Sequence, residues 1–447
     1  MTKRPFALLL AASILVPAAS GAQTSDPMAS SSSVLAAQSS VAVFYSSYSV
    51  QPIWFRGGVA NPAIADLVRI LRRAPFDGFA AGPQLAAQVE AAAARIGAGA
   101  SAADLKTAER TLSTAWVAYA QWMKRKTPGM IYAYPVLAPQ GGRTDQILLS
   151  AAQAASLQAH LNSVANINPI YVQLRETAWA EAQAKGNMTP DPRLIANVDR
   201  ARSLPSGGRF ILVDAGSQML YMYENGQPVD SMKVVVGDKE KLGLPTPMIA
   251  SVIHYMTFNP YWNVPHHLVR KMVANPDFKK DPAKYLKSKK YEVMSDWTEQ
   301  ATAISPDGID WKAVGSGEKQ IRVRQLPGPL NSMGKMKFPF PSGQDIYLHD
   351  TPTREYFAKA NRALSNGCVR LEAAPRLARW LLGRDPVAPS SEPEIRTQLP
   401  QGVPVYLTYL TAKPTATGIA YLEDIYGWDV PGAQVAAITP AANLSPQ

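Results

Sequence analysis

The residue best suited to covalent chemistry in this chain is its single cysteine, Cys368. It follows Asn366-Gly367, a turn-forming pair in which glycine permits a positive φ and leaves the thiol uncovered. Without a second cysteine, Cys368 cannot form a disulfide within the chain. A free cysteine usually packs as a small apolar residue, and the alternative is a nucleophile, which requires a base.

The surroundings of Cys368 predict a lowered thiol pKa. The thiolate is the reactive form, and an unperturbed thiol has a pKa of about 8.5. A helix predicted over residues 373–382 would begin shortly after Cys368, and Arg370 lies two positions away. A helix N-terminus and a nearby cation both favour the anion. Backbone N–H groups around Gly367 and Cys368 could face a developing oxyanion.

His349 is the predicted base. It ends an apolar run at residues 345–349 and precedes a polar turn at 350–352, a position where catalytic groups are commonly exposed. The remaining histidines lie where packing or solvent exposure is expected, with no cysteine or carboxylate spacing typical of a metal site: His160, His254, His266 and His267. We therefore predict a Cys368–His349 pair and no metal or other cofactor.

The elements that must position this pair belong to a β-rich region. Short runs of apolar and β-branched residues, separated by turns, predict strands at 210–214, 219–223, 231–237, 251–258, 320–325, 345–349 and 403–410. No regular helices separate these runs, so a mixed or antiparallel sheet is expected.

The preceding region is Ala-rich, with apolar residues at helical spacing. Helices are predicted at 63–73, 85–96, 103–124, 153–161, 170–184 and 193–204. The predicted fold class is therefore α+β, with a helical scaffold domain at 41–204 and a β-rich catalytic domain at 205–415.

One segment interrupts the strand pattern. Residues 264–299 are predicted to be helical and basic, with eight Lys or Arg against Asp277 and Asp281 between positions 270 and 290. A solvated charged face is one interpretation. The other is a lid inserted over an active site.

Both ends are predicted to lie outside the two domains. Residues 1–22 combine Lys3 and Arg4, an apolar run and a small-residue cleavage site, a pattern typical of a secretory signal peptide. The run is shorter than the roughly 20 residues that a transmembrane helix needs. Residues 23–40 are predicted to be a flexible leader and residues 416–447 a C-terminal tail. Export without stable membrane insertion is expected.

Composition limits the class of partner. A hydrophobic fraction of 47% suits a globular protein with a substantial core. The formal net charge of +11 fits an anionic partner such as cell wall, membrane surface or nucleic acid, and the expected export argues against nucleic acid.

These residues resemble the signature of the YkuD-type L,D-transpeptidases. In that pattern a His is followed, after about fifteen residues, by Ser/Thr-His-Gly-Cys; here His349, a 15-residue gap and Ser365-Asn366-Gly367-Cys368 match it, with Asn in place of the second His. Further segments resemble the large periplasmic branch of the family, which has an N-terminal scaffold domain: 51–55, Gly237 with Thr246-Pro247, 259–265, 326–331, 347–352 and 424–427.

The resemblance implies an activity and a set of roles. Cys368 would form a thioester with a peptidoglycan stem tetrapeptide and release D-alanine, and a second stem would resolve it into a 3→3 cross-link. His349 would be the base, oriented by the backbone carbonyl of Asp350, and the 264–299 lid would cover the donor stem. The resemblance also implies that Gly367 stabilises the oxyanion. The residues that it implies for substrate binding are Tyr347, Arg370, Ser365 and Asn366. The expected enzyme is a periplasmic monomer without cofactor or metal.

Other interpretations use the same residues. Water or a protein amine as acceptor would give an L,D-carboxypeptidase or an enzyme that links the wall to a protein. A non-catalytic wall-binding module is expected to have lost Cys368 or His349, and both are present. A papain-like protease is disfavoured because the histidine here precedes the cysteine.

Overall fold

The computed structural model describes residues 27–97 and 99–429. The predicted signal peptide at 1–22 and the end of the predicted tail at 430–447 lie outside the described residues. Among those that are described, no helix has the length and apolar character needed to cross a bilayer.

The N-terminal region is helical, as predicted. Its elements are α1 (Pro27–Ser47), β1 (Phe55–Arg56), β2 (Val59–Ala60), α2 (Ala63–Arg73), α3 (Gly82–Ala94), α4 (Ala102–Met123), β3 (Ile131–Tyr132), α5 (Thr144–Gln153), α6 (Leu157–Ala165), α7 (Pro169–Lys185) and α8 (Pro192–Ala201). Short 3-10 turns occupy Ala74–Asp77 and Pro135–Leu137. Helix α4 is central to this region because its Leu112, Trp116 and Tyr119 are fully buried.

The helix predicted over residues 153–161 is wrong. Helix α5 ends at Gln153, and α6 begins at Leu157. Ser156 is the reason for the break, since its extended backbone and a side chain that accepts from the Ala159 N–H form an N-cap. The apolar pattern continues across the gap, but the capping residue starts a new helix.

The flexible leader predicted at 23–40 is also corrected over its described part. Residues from Pro27 onward form α1, with Ala37, Val41 and Phe44 buried. These residues recur at intervals of three and four, so one stripe of the helix packs on the domain core. The Ser- and Ala-rich composition suggested mobility because it hid this short apolar stripe.

Asp77 holds the scaffold core together. Its carboxylate is fully buried and accepts hydrogen bonds from the Tyr119 hydroxyl at 3.0 Å, from the Tyr171 hydroxyl, and from Arg175 Nη1 at 3.2 Å. Removing the acid leaves a buried guanidinium short of its counter-charge. Breaking a buried ion pair in this way lowers the stability of the protein by more than the intact pair contributes to it.

We expect Asp77→Ala to lower the free energy of unfolding by about 3 to 5 kcal/mol, because two hydroxyls and Arg175 lose a buried acceptor. Urea unfolding followed by far-UV circular dichroism would measure it. The matched control is Glu90→Ala, which breaks the exposed pair with Arg72 and should cost less than about 1 kcal/mol. Equal losses in the two variants would contradict the structural role assigned to Asp77.

The C-terminal region contains a large mixed sheet. Its strands are β4 (Phe210–Asp214), β5 (Met219–Glu224), β6 (Gln227–Gly237), β7 (Ile249–Phe258), β12 (Met336–Pro339), β13 (Tyr347–His349), β14 (Ala363–Ser365), β15 (Val369–Leu371) and β16 (Ile395–Thr408). The accompanying helices are α9 (Lys239–Leu242), the 3-10 turn Arg354–Ala358 and α14 (Ala374–Leu382). A helical scaffold followed by a β-rich domain confirms the α+β fold class.

The strand order explains how the domain closes. Neighbours run β12-β13-β15-β6-β5-β4-β16-β7-β3, and β14 lies beside β6. Strand β12 also pairs with β7, which brings the sheet back on itself and covers its edges. The pairs β4–β16, β13–β15 and β3–β7 are parallel. Strand β3 comes from the N-terminal region, so backbone pairing ties the two regions together.

The insertion is larger and less helical than predicted. It contains β8 (Trp262–Asn263), α10 (His266–Ala274), α11 (Pro276–Lys280), α12 (Pro282–Ser288), β9 (Tyr291–Met294), β10 (Ala303–Ile304), α13 (Trp311–Ser316) and β11 (Arg322–Gln325). The strands form a separate antiparallel sheet in the order β10-β9-β11-β8. The strand predicted at 320–325 therefore exists but belongs to the insertion, which we define as residues 262–325.

The insertion is a packed unit because it has its own apolar core. Val269, Phe278 and Leu286 from its helices meet Val293 and Val323 from its sheet. This core explains why the helical prediction for 264–299 was incomplete: α10 to α12 are short and rest on strands contributed by later residues.

The segment predicted as a tail is folded up to Asp429. Strands β17 (Ala412–Thr415) and β18 (Gly418–Tyr421) form a hairpin. Beyond it Tyr426 and Trp428 are buried, and Asp429 pairs with Arg200 of α8 at 2.9 Å. Residues 416–429 thus pack against both the scaffold and the large sheet.

Candidate active site

His349 ends β13, and Cys368 immediately precedes β15, the strand that runs parallel beside β13. In the register of β13 and β15, Leu348 pairs with Val369 and His349 pairs with Arg370. Leu348 and Val369 are fully buried and face the core. Because side chains alternate along a strand, His349, Arg370 and Tyr347 share the opposite face. The structure therefore brings the predicted nucleophile and base to adjacent segments, with Cys368 at the start of β15 and His349 at the end of β13.

The imidazole of His349 has one defined orientation. The side chain is 4% exposed, and its Nδ1 lies 2.6 Å from the backbone carbonyl of Asp350. A carbonyl can only accept, so Nδ1 carries the proton and Nε2 presents a lone pair. This contact is the one predicted for Asp350, and it leaves Nε2 able to take a proton.

The Asp350 carboxylate in turn holds the backbone that orients His349. It accepts from the Lys335 N–H at 2.9 Å and from Arg354 Nη2 at 2.7 Å. A Cβ at Gly334 would lie 2.4 Å from this carboxylate, and Gly334 has φ +63°, so glycine is required there. Asp350 thus acts through its carbonyl on the imidazole and through its carboxylate on the surrounding loop.

Cys368 is partly buried between two backbone groups. Its Sγ lies 3.6 Å from the carbonyl of Asp345 and receives a hydrogen bond from the Tyr347 N–H. Asp345 has φ +50°, which turns its carbonyl toward the sulfur. A thiol that donates to a carbonyl is stabilised in its protonated form.

The predicted lowering of the thiol pKa is not observed. Burial raises the pKa of Cys368 to about 11, against smaller lowering effects of the Tyr347 N–H and Arg370. The expected helix N-terminus is absent from the site, since strand β15 intervenes and α14 begins only at Ala374. Helix end effects extend about one turn, so α14 does not stabilise the thiolate.

The pKa of His349 is lowered to about 3, first by burial and then by Arg370, with Lys337 adding to the effect. At neutral pH the resting pair is therefore a protonated thiol beside a neutral imidazole. Such a pair performs general-base catalysis, in which the proton leaves sulfur as the bond to carbon forms. A preformed thiolate–imidazolium pair is not the resting state.

Alkylation of Cys368 by iodoacetamide should accelerate by about tenfold per pH unit from roughly pH 6 to 10, because only the thiolate reacts and its pKa lies above this range. Stopped reactions quantified by mass spectrometry would give the rates. Free cysteine, with a pKa of about 8.5, is the control and should level off within the range. A rate for Cys368 that is flat from acidic pH upward would instead indicate a preformed ion pair.

The loop before Cys368 is fixed by Ser365. The Ser365 hydroxyl donates to the Cys368 carbonyl at 2.6 Å and accepts from the Gly367 N–H at 3.2 Å. Gly367 has φ +109° and meets Ile346 closely, so a side chain there would be strained. The Gly367 N–H is thus occupied in this structure, and Ser365 shapes the loop. The amide oxygen of Asn366 is buried without a hydrogen-bond partner.

A second set of hydrogen bonds links this loop to the C-terminal segment. Thr246 Oγ1 donates to the Gly367 carbonyl at 2.8 Å and accepts from the Gly237 N–H at 2.8 Å. The Tyr426 hydroxyl donates to the Gly237 carbonyl at 2.9 Å and accepts from the Thr246 N–H at 3.2 Å. The residue preceding Cys368 is therefore held by side chains far away in sequence.

Two further predicted residues border the pair. Arg370 lies with its guanidinium carbon 5.4 Å from the centre of the Tyr356 ring, and its charge acts on both His349 and Cys368. Tyr347 contacts Asp345 Oδ1 through its hydroxyl at 3.3 Å, and Lys337 Nζ lies 5.2 Å from its ring centre. These cations make the surface around the thiol suited to a carboxylate ligand.

Sequence reasoning missed four contributors to this site: Lys337, Asp345, Arg354 and Tyr426. In the sequence Asp345 has the pattern of a first strand residue, and its positive φ has no local signal. Arg354 stands four positions after Asp350, a spacing that is informative only in a helical turn. Tyr426 has no signal beyond its place in a segment resembling a family tail. Among the residues that the structure describes, no group of three or more His, Cys, Asp or Glu side chains could hold a metal ion.

Two family profiles match the chain. The L,D-transpeptidase catalytic domain, YkuD, matches residues 208–388, and the scaffold domain matches residues 39–177. The catalytic match contains the insertion, the Cys368–His349 pair and the large sheet apart from its strands β3 and β16.

Individual relatives extend this result. A Haemophilus influenzae protein, provisionally named an L,D-transpeptidase, is 30% identical over 322 residues. The match covers 70% of this chain and 63% of that protein, so the chain spans less than two thirds of its relative's length. A crystal structure of an L,D-transpeptidase from Xylanimonas cellulosilytica is 14% identical and covers 54% of this chain and 94% of its own, with a TM-score of 0.18.

Proposed function

Because this chain belongs to the L,D-transpeptidase family, with a YkuD catalytic domain at residues 208–388 and a scaffold domain at residues 39–177, we propose that it is a peptidoglycan L,D-transpeptidase forming 3→3 cross-links. The observation that carries the proposal is the His349 contact. Nδ1 is held by the Asp350 carbonyl at 2.6 Å, which leaves Nε2 as the basic nitrogen, and Cys368 lies just before the strand that pairs with the one ending at His349.

Acylation proceeds without a preformed thiolate. Cys368 Sγ attacks the carbonyl carbon of the third stem residue while His349 Nε2 takes the thiol proton. The carbon–nitrogen bond to the terminal D-alanine then breaks, and His349 returns the proton to the leaving amine. The product is a thioester on Cys368 and free D-alanine.

Deacylation uses the same base in the second half of the cycle. The amine of a second stem attacks the thioester, the carbon–sulfur bond breaks, and the proton released by the amine passes through His349 to the sulfur. The products are a 3→3 amide and the regenerated thiol. Transient protonation of His349 is unfavourable at a pKa of about 3, so its charge must be offset by the oxyanion or thiolate that forms beside it.

The substrate contacts follow from charge and shape. Arg370, with Lys337 nearby, suits a stem carboxylate. Tyr347 provides a ring beside the thiol. The amide oxygen of Asn366 is buried without a partner in the structure, so accepting an N–H of the stem would satisfy it. The insertion would cover the donor stem and exclude water from the thioester.

Cellular context completes the proposal. The N-terminal pattern of residues 1–22 supports export to the periplasm, where peptidoglycan is accessible, and we propose that the enzyme acts there as a monomer. The expected substrate is a stem peptide alone, with neither metal nor nucleotide as cofactor.

Mass spectrometry of the purified protein mixed with a stem tetrapeptide containing meso-diaminopimelate tests the proposal. The expected adduct has the mass of the tetrapeptide minus D-alanine and is located on Cys368. Adding a second stem should then yield a cross-linked dimer. If neither an adduct nor free D-alanine is formed by the reduced protein, the proposal is refuted and a wall-binding role takes its place.

A carboxypeptidase is the second candidate, because it would use the same nucleophile and base. Release of free tripeptide in place of dimer, at saturating acceptor stem, would identify water as the acceptor. A protein amine as acceptor would give neither product but would regenerate the thiol only when the protein partner is added.

A further inference from the structure

The positive charge of this protein is concentrated in a short part of the insertion. Residues 270–290 contain eight Lys or Arg and two Asp, a net charge of +6, compared with +11 for the whole chain. Six of these cations are lysines within twelve consecutive positions: Lys279, Lys280, Lys284, Lys287, Lys289 and Lys290. We refer to these six residues as the lysine surface.

The lysine surface is exposed, and its six lysines form no ion pair among the described residues. All six side chains are exposed to solvent. Within the described part of the insertion, the ion pair joins Arg324 to Glu292 at 2.9 Å, and none involves the six lysines. Asp281, the acid between them, accepts from the Lys284 N–H at 2.9 Å as the N-cap of α12.

Packing keeps these charges on one outer side. Helices α11 and α12 place Phe278 and Leu286 in the core of the insertion, and the Phe278 ring meets the Tyr285 ring edge-on at 5.4 Å between centres. The lysines occupy the remaining, solvent-facing positions of these two helices and the turn that follows. A fixed core thus presents a flexible set of ammonium groups.

The kind of cation indicates the kind of ligand. Lysine is a mobile, strongly hydrated point charge, whereas arginine forms fixed bidentate contacts. A surface built from lysine alone fits a polymer with repeated, unevenly spaced anions better than a single defined anion. Stem peptides carry more carboxylates than amines and recur along a glycan strand, so they supply such a pattern.

We propose that the lysine surface is a second binding site for the peptidoglycan polymer, recognising carboxylates of stems other than the one in the active site. This inference rests on the proposed function for the identity of the polymer. Binding at two places raises the effective concentration of the polymer at the thiol. For a soluble tetrapeptide, the lysine surface gives no such increase in effective concentration.

The test measures binding and not turnover. In a Cys368→Ala background, which prevents covalent capture, Lys279, Lys280, Lys284 and Lys287 are all changed to Gln. The matched control changes four other exposed lysines to Gln and alters the net charge equally: Lys106, Lys126, Lys312 and Lys319. Each protein is sedimented with insoluble sacculi freed of protein and of phosphate-bearing polymers.

The lysine-surface variant should bind sacculi on the order of tenfold more weakly than its parent, and the control should stay within about twofold. Raising the salt concentration from roughly 0.05 M to 0.5 M should lower the affinity of the parent for sacculi to that of the lysine-surface variant. The parent should bind sacculi whose carboxyl groups have been amidated as weakly as it binds untreated sacculi at high salt.

Three results would overturn the inference: no binding of the parent to sacculi, equal weakening of variant and control, or stronger binding to anionic phospholipid vesicles than to sacculi. With Cys368 restored, the lysine variant should acylate the soluble tetrapeptide at the normal rate. If no version forms an adduct while lysine-dependent binding persists, the proposed function fails and the binding surface stands. Normal acylation with lysine-independent binding would refute the binding surface and leave the proposed function intact.

Discussion

Cys368→Ala is expected to lower the release of D-alanine from a stem tetrapeptide by at least about four orders of magnitude, since nucleophile deletions reach this range in other acyl-transfer enzymes. Without Sγ, no covalent intermediate can form, and His349 has no proton to accept. The chain has no other cysteine to substitute. Chromatographic assay of D-alanine measures the loss.

The controls separate chemistry from folding and binding. Cys368→Ser keeps the shape of the side chain and should also be inactive, because a hydroxyl is far less acidic than a thiol. Calorimetry should show that both variants bind the tetrapeptide within a few-fold of wild type. Substantial D-alanine release by the alanine variant would move the nucleophile to another residue.

His349→Ala is expected to slow acylation by roughly 10² to 10⁴-fold, the usual contribution of a positioned general base. The thiol of Cys368 stays protonated at neutral pH because burial raises its pKa to about 11, so it depends on a base to remove its proton. Single-turnover adduct formation, followed by mass spectrometry, measures the rate. Added imidazole should restore part of it by filling the space left by the side chain.

His254→Ala is the matched control, because His254 lies on β7 of the same sheet and contacts Tyr134 at 3.1 Å. Its acylation rate should be close to that of wild type. In wild type, the acid limb of kcat/KM should lie well below pH 6.5: His349 is neutral, and able to accept a proton, at every pH above its pKa of about 3. Equal losses in the two histidine variants would argue against a specific base.

The chemistry could be predicted from the sequence because it is carried by local patterns. Cys368 after Gly367, and His349 at the end of a strand, predicted the proposed reacting pair, and Asp350 followed from the family resemblance. Strong periodicity likewise defined elements such as α2 and β4, whose observed bounds equal the predicted ones. Short-range preferences dominate where a segment is long and its apolar pattern is regular.

The features that the sequence analysis predicted wrongly were decided by packing between segments distant in sequence. Leader residues proved helical because Ala37, Val41 and Phe44 find a core, and the strand at 322–325 joined the insertion because β8 and β9 lie beside it. The predicted lowering of the Cys368 thiol pKa was wrong for the same reason. Cys368 was expected to favour the thiolate because of its neighbours in sequence, but burial raises the pKa of Cys368 and lowers that of His349, so both neutral forms are favoured.

The sequence by itself therefore determined the candidate nucleophile and base, because these are recognised by residue type and by a few adjacent positions. Only the tertiary structure decided the protonation states from which the proposed reaction would start. Desolvation, the Lys335 N–H that holds the Asp350 carboxylate and the Tyr426–Thr246–Gly367 contacts all come from parts of the chain that meet only after folding.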